Sequence, residues 1–160
     1  MISLVTLVIA AALGAAQTPV PATHISSEET AAVLKASIAN GVTDQPIKAS
    51  DVPGGRASVA MLHRAKAEAS ALIHDRVTET YYILEGSGTI VTGGTLGDPK
   101  PIDLTRLNAG MSQTGTRQGG ESRRVKPGDI IIIPAGTPHS FSELDGSISY
   151  LVYRFEPSAK

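Results

Sequence analysis

The chain has 160 residues, of which 41% are hydrophobic and 18% charged, with a formal net charge of -1. This size suits one compact domain. Fourteen Lys and Arg against 15 Asp and Glu leave no basic excess for a phosphate backbone, so we expect no nucleic acid partner. The absence of Cys excludes disulfides, thiolate nucleophiles and cysteine metal sites. A metal site must therefore use His, Asp or Glu, and the chain has only four His.

The N-terminal sequence is typical of an exported protein. Residues 2–16 form an uncharged apolar run, and the small residues Gly14 and Ala16 stand at the −3 and −1 positions of a cleavage site before Gln17. The run is shorter than the roughly 20 residues of a membrane-spanning helix. We therefore predict a signal peptide over residues 1–16 and a periplasmic or secreted protein that leaves the membrane after processing. The run lacks a preceding Lys or Arg, and a buried core helix or a short anchor is the alternative.

Residues 17–45 are predicted to form a linker and one short helix. The spacing of Ser26 and Glu29 is that of a capping box, which marks a helix start. Leu34 and Ile38 lie four residues apart, as on one helix face, and Gly41 is suited to end the helix.

Residues 46–157 are predicted to form an all-β domain. Short runs rich in Val, Ile, Tyr and Thr alternate with Gly and Pro, which favours an antiparallel sandwich or barrel over βαβ units. Residues 95–120 are instead polar and rich in Gly, Ser, Thr, Asn and Gln. We interpret them as a long loop that is either functional or disordered.

Two motifs within the β region combine His, Glu, Gly and Pro. His74, Glu79 and Gly86 form the pattern H-x4-E-x6-G, and Gly128 to His139 form the pattern G-x5-P-x-G-x2-H. In this order the two motifs resemble those of the cupin superfamily, and the resemblance extends over residues 57–155. It implies a double-stranded β-helix, or jelly-roll, barrel, here with a short N-terminal helix. It also implies that the motif His and Glu residues hold one divalent metal inside the barrel.

The alternation of side chains along a strand bears on Glu79 without reference to the family resemblance. Side chains alternate across a strand, so Glu79, Tyr81 and Ile83 share one face. If that face is the interior, Glu79 needs a metal, a cation or a raised pKa. His74 and His139 could project into the same end of the barrel. Such a set suits Fe, Mn, Zn or Ni, whereas a hydrogen-bonded cluster without metal is the alternative.

The first motif departs from the usual cupin pattern, H-x-H-x3-4-E. Leu72 stands where the family has its first His, which leaves a three-ligand site or a weakened one. His63 is a candidate replacement, because Val59, Met61 and His63 share one face of the preceding strand. If that face points inward and residue 63 pairs with residue 72, His63 lies across from the missing ligand. The alternative places His63 at the rim of the barrel.

The sequence leaves two functions open. In the first, a metal held by His74, Glu79 and His139 serves an oxygenase, isomerase or lyase that acts on a small polar substrate. Tyr81 is then the candidate catalytic residue, because an inward hydroxyl beside the metal could donate a hydrogen bond or a proton. In the second, the chain is a non-catalytic module that binds a metal or a small molecule. A homodimer is compatible with either function, and the fold alone does not select a reaction.

Overall fold

The structure is a computed structural model that describes residues 19–159. The predicted signal peptide over residues 1–16 lies outside the described residues. The described part contains one helix, nine strands and a short 3-10 turn. In chain order these are α1 Ser27–Asn40, β1 Asp44–Val52, β2 Gly55–Arg64, β3 Ala71–His74, β4 Thr78–Thr92, β5 Thr95–Asp103, the 3-10 turn Thr105–Leu107, β6 Met111–Gln118, β7 Glu121–Val125, β8 Ile130–Ile133 and β9 His139–Pro157.

The helix α1 begins and ends at the predicted capping residues. The Ser26 hydroxyl accepts a hydrogen bond from the Glu29 backbone N–H at 3.1 Å. Gly41 ends the helix in the left-handed region, with φ 65°, and its N–H bonds to the Ile38 carbonyl. The helix contacts β1 and β2. Within residues 19–159, no helix is long and apolar enough to cross a membrane.

Two long strands, β4 and β9, build the barrel by contributing to both of its halves. In one half, the second part of β9 pairs with β2 and with the first part of β4, which also pairs with β8. In the other half, the first part of β9 pairs with the second part of β4, which also pairs with β7. There β9 also meets β3, and β3, β6 and β5 follow in order. All of these pairs are antiparallel, which confirms the predicted jelly-roll class.

The barrel interior is an apolar core with a polar layer at one end. Along β4, Glu79, Tyr81 and Ile83 are buried while Tyr82 is exposed, as the predicted alternation requires. The core cluster comprises Ala60, Leu62, Tyr81, Ile83, Ile90, Val125, Ile133, Phe141, Ile148, Tyr150 and Val152. Glu79 therefore lies on the inner face of β4, one step beyond this core.

The interpretation of residues 95–120 as a long loop is wrong. Strands β5 and β6 form an antiparallel hairpin whose register runs from Thr95 opposite Gln118 to Asp103 opposite Met111. The hairpin lies at an edge of the sheet, where β5 has β6 as its neighbour and is mostly exposed. Because neither face of β5 needs to be apolar, the hydrophobic alternation that marks a strand is missing from its sequence.

The predicted pairing of His63 with Leu72 is also wrong. His63 lies opposite Ser149 of β9, and Leu72 lies opposite Thr114 of β6 and His139 of β9. The two positions therefore pair with different parts of β9 and not with each other. The predicted inward face of β2 is wrong as well, because Ala60 and Leu62, rather than Met61 and His63, belong to the barrel core.

Candidate metal centre

Three of the predicted site residues meet inside the barrel. His74 is the last residue of β3, Glu79 is the second residue of β4, and His139 is the first residue of β9. The Nε2 atoms of both His lie 3.4 Å from Oε2 of Glu79. The three potential ligand atoms lie within 4.8 Å of one another, and each residue is at most 4% exposed. These residues could therefore hold one ion in a site shielded from solvent.

The Ser112 hydroxyl sets the orientation of the His74 ring. His74 Nδ1 lies 2.8 Å from Ser112 Oγ, which in turn lies 3.2 Å and 3.3 Å from the carbonyl oxygens of Ala109 and Gly110. The single hydroxyl proton is donated to these carbonyls, so Ser112 Oγ accepts the proton of Nδ1. With Nδ1 bound to Ser112, Nε2 is the ring nitrogen of His74 that faces Glu79.

His139 has the same tautomer through a different partner. Its Nδ1 lies 3.0 Å from the Thr137 carbonyl oxygen, which can only accept a hydrogen bond. Nδ1 therefore carries the proton, and Nε2 faces Glu79. A partner that fixes the second ring nitrogen is typical of metal-binding His. Burial lowers the pKa of His139, but Glu79 stabilises a second ring proton, on Nε2, through a hydrogen bond and its negative charge, so the pKa is raised.

The donor set fits a divalent transition metal. Two imidazole nitrogens and a carboxylate oxygen are all acceptors, so they repel one another unless a proton or a cation lies between them. A separation of 3.4 Å is about that of two ligand atoms bound at roughly 2.1 Å to one tetrahedral ion. A set of two imidazoles and one carboxylate is compatible with Fe, Mn, Zn or Ni.

Glu79 is ionised and paired with a buried cation that sequence analysis missed. Arg154 of β9 donates from Nε to Oε1 of Glu79 at 2.7 Å. Burial raises the pKa of the Glu79 carboxyl, but its contacts with His139 and His74 and the charge of Arg154 hold the pKa well below 4.5. The sequence predicts a metal, a cation or a raised pKa for a buried Glu79. The raised pKa is therefore wrong, and the cation is Arg154.

The Nη atoms of Arg154 have hydrogen-bond partners of their own, other than Glu79. Its Nη2 donates to Oδ2 of Asp44 at 2.6 Å, and its Nη1 donates to the Leu107 carbonyl oxygen at 2.7 Å. Arg154 is 3% exposed. The sequence does indicate that Arg154 points inward, because it follows the buried residues Tyr150 and Val152 at two-residue steps on β9. Asp44 has no comparable signal.

Tyr81 lies beside the same carboxylate. Its hydroxyl donates to Oε2 of Glu79 at 2.8 Å, and its ring meets the His139 ring edge-on at a centroid distance of 6.2 Å. Burial and the charge of Glu79 raise the pKa of Tyr81 well above 10. Tyr81 therefore keeps its proton at neutral pH and serves as a hydrogen-bond donor to Glu79. Its predicted catalytic role stays a prediction.

His63 lies outside this cluster, on the outer face of the barrel. Ala60 and Leu62 belong to the core, so His63 and Met61 point to the opposite side of β2. Met61 is fully buried on that side, where α1 packs. The apolar residues that suggested an inward face are thus covered by the helix, and His63 Nδ1 lies 3.0 Å from Ser149 Oγ.

A partly buried Arg, Arg64, lies in the barrel near the loop that joins β2 to β3. Arg64 donates from Nε to the Tyr150 hydroxyl at 2.7 Å and pairs with Glu68 at 3.0 Å. The Glu68 carboxylate also accepts from the Phe141 backbone N–H at 2.8 Å. The centroids of Tyr150 and Tyr81 are 4.7 Å apart, so this cluster adjoins the candidate metal centre. Arg64 itself makes its hydrogen bonds to partners other than Glu79.

The structure is thus a jelly-roll barrel that encloses two His and one Glu close enough to hold one metal ion. A search against protein-family models matches residues 34–146 to the family described as Cupin. The match spans well over half of the 160 residues, so the chain belongs to the cupin family. A search of curated proteins found no match.

A search of solved structures found matches at low sequence identity. A Bacillus halodurans crystal structure has a TM-score of 0.54 and 16% identity, covering 88% of this chain and 86% of that chain. A cupin superfamily protein from Desulfitobacterium hafniense has a TM-score of 0.42 and 18% identity, covering 71% and 75%. A variant of Streptomyces Pac13 with uridine has a TM-score of 0.41 and 16% identity, covering 69% and 66%. Pac13 is described as a nucleoside dehydratase.

Proposed function

We propose that this cupin binds one divalent transition metal through His74, Glu79 and His139 and acts as a metal-dependent enzyme on a small polar substrate. The observation that supports this proposal most directly is that the Nε2 atoms of both His lie 3.4 Å from one carboxylate oxygen of Glu79 inside the barrel. Among residues 19–159 the structure brings three potential ligands together, and Leu72 stands where the family pattern has a further His. A site with three protein ligands and an open position is typical of catalytic rather than structural metals.

A bound metal would supply Lewis acidity toward a carbonyl, carboxylate or hydroxyl oxygen of the substrate. The protein residues contribute orientation and exclusion of water. Ser112 and Thr137 hold the two His rings, Tyr81 keeps its proton 2.8 Å from Glu79, and burial keeps bulk water away. Because the ligands are at most 4% exposed, the entry of a substrate requires local movement of the barrel end.

The test of metal binding is the metal content of purified protein. Protein purified without chelator is expected to retain close to one equivalent of a first-row divalent metal, and His74→Ala or His139→Ala is expected to lose most of it. His63→Ala is the matched control, because it removes an imidazole on the outer face of the barrel. Wild-type metal content in both His74→Ala and His139→Ala would reject the site.

The second candidate function is a non-catalytic metal-binding module, which the closure of the site favours. The two functions differ in whether an external ligand can reach the metal. Azide added to the cobalt-loaded protein is expected to change its visible absorption spectrum if the coordination position is open. A spectrum that does not respond to saturating azide would favour the non-catalytic module.

We also propose that the protein is exported and that the mature chain begins at or near Gln17. The uncharged apolar run over residues 2–16, which ends in small residues, supports this proposal. Mass spectrometry of the protein from the periplasm or medium of its native host is expected to find this new N-terminus. An intact Met1 on cytoplasmic protein would contradict export.

A further inference from the structure

The two oxygens of the Glu79 carboxylate have different surroundings. Oε2 faces both Nε2 atoms at 3.4 Å and accepts from the Tyr81 hydroxyl at 2.8 Å. Oε1 accepts from Arg154 Nε at 2.7 Å, whereas the 3.4 Å contacts with the His pair are made by Oε2. A carboxylate in this position can bind a metal through Oε2 without disturbing Arg154. Binding through both oxygens would make Oε1 share its lone pairs between the metal and Arg154, which weakens Oε1 as a metal ligand.

The guanidinium of Arg154 is held by hydrogen-bond acceptors from three elements. Its three nitrogens each have an acceptor: Nε has Glu79, Nη2 has Asp44, and Nη1 has the Leu107 carbonyl. These partners come from β4, β1 and the 3-10 turn, so three separate elements determine the orientation of one planar group. Asp44 is a second negatively charged partner of Arg154, in addition to Glu79. It accepts two hydrogen bonds from the guanidinium, at 2.6 Å and 3.3 Å.

We infer that Arg154 is a positioning residue, which presents Glu79 to the metal as a one-oxygen ligand, with Asp44 holding the guanidinium in place. This inference rests on the proposed metal site. Arg154 touches Glu79 rather than the His ligands, so it acts through the carboxylate. Its effect is to limit the number of protein donor atoms to three, which preserves an open coordination position for a substrate.

The test is the visible absorption of cobalt in the metal-exchanged full-length protein. Tetrahedral Co(II) absorbs strongly, and five- or six-coordinate Co(II) absorbs weakly, so the intensity reports coordination number. Arg154→Met keeps a long unbranched side chain but frees Oε1 of Glu79 to bind. We expect the molar absorbance of Arg154→Met to fall at least two-fold relative to the wild type, with circular dichroism confirming that the variant is folded.

Two further variants separate positioning from general damage to the barrel. Arg64→Met removes a partly buried Arg that adjoins the centre without contacting Glu79, and we expect it to keep the wild-type cobalt spectrum. Arg154→Lys retains the charge but cannot reach Glu79 and Asp44 with separate nitrogens, so we expect an intermediate absorbance. Arg154→Lys serves as the test on its own if Arg154→Met does not fold.

The outcomes distinguish this inference from the proposed function. A wild-type spectrum in Arg154→Lys and in folded Arg154→Met would overturn the positioning role while leaving the metal site intact. An equal loss of absorbance in Arg64→Met would also overturn it, because the effect would then be general. A wild-type protein that binds no cobalt at all would overturn the proposed metal site first, and the positioning role with it.

Discussion

At the scale of single residues, the candidate centre depends on how a buried negative charge is satisfied. Glu79 accepts hydrogen bonds from Tyr81 and Arg154, contacts both His rings and is 1% exposed. An ionised group buried in this way is stable only while each donor stays in place, because the low local dielectric makes a missing partner costly. The centre is therefore sensitive to the loss of one hydroxyl.

Tyr81→Phe tests that sensitivity. The change removes the hydroxyl that donates to Glu79 at 2.8 Å while keeping the ring in the core. A hydrogen bond to a buried charged group contributes about 1.5–3 kcal/mol, so we expect the free energy of unfolding to fall by that amount in urea titrations. Tyr82→Phe, at an exposed position on the same strand, is the control and is expected to change stability by less than about 0.5 kcal/mol. Equal changes in both variants would contradict the role of the hydroxyl.

The residues of the centre differ in how far the sequence predicts them. His74, Glu79 and His139 follow from motif spacing and strand alternation, because each stands at or near the end of a predicted strand. Arg154 and Asp44 do not, because their contact spans 110 positions and depends on the strand order of the barrel. Periodicity indicates which face a side chain occupies, but it does not identify the neighbour across the barrel.

At the scale of secondary structure elements, the barrel depends on the bend that carries β4 from one half to the other. The register between β4 and β9 shifts on both sides of Gly86, which adopts φ 75°. A Cβ atom built on Gly86 would collide with the backbone carbonyl of Ser147 on β9. Position 86 therefore requires glycine for two reasons: its backbone is left-handed, and the backbones of β4 and β9 approach too closely there for a Cβ atom.

Gly86→Ala and Gly128→Ala form a matched pair for this bend. Both glycines have positive φ, but a Cβ on Gly128 would meet no atom within 4 Å. The left-handed conformation costs either alanine about 1–2 kcal/mol. Gly86→Ala must also displace a backbone strand, so we expect it to lose about 1–3 kcal/mol more than Gly128→Ala in denaturant titrations. Equal losses would mean that the strands separate freely at the bend.

The elements were predicted where their sequences carry a regular signal. The capping residues of α1 and the alternation in β4 both identify their elements. The β5–β6 hairpin lacks such a signal because it is polar and at an edge, and its backbone pairing alone defines it. On β2 the signal exists but is misleading, because α1 buries Met61 on the outer face while Leu62 is buried inside.

At the scale of the whole molecule, the candidate centre joins segments that are distant along the chain. His74 and Glu79 come from the first half of the barrel sequence, His139 begins β9, and Arg154 links the centre to Asp44 at the start of β1. In an unfolded chain these groups are not held together, so a metal bound by all three ligands binds the folded state alone. Metal binding should therefore stabilise the entire barrel rather than one loop.

Thermal unfolding with and without Zn²⁺ tests this coupling. A ligand at one hundred times its dissociation constant stabilises the folded state by about 2.7 kcal/mol. For a domain of this size each kcal/mol raises the unfolding temperature by roughly 2–4 °C, so we expect a rise of about 5–10 °C over chelator-treated protein. His139→Ala is expected to show little rise, because it lacks one of three ligands, whereas His63→Ala is expected to respond like the wild type. A rise of the same size in His139→Ala would show that zinc stabilises the barrel from somewhere other than the Glu79 layer.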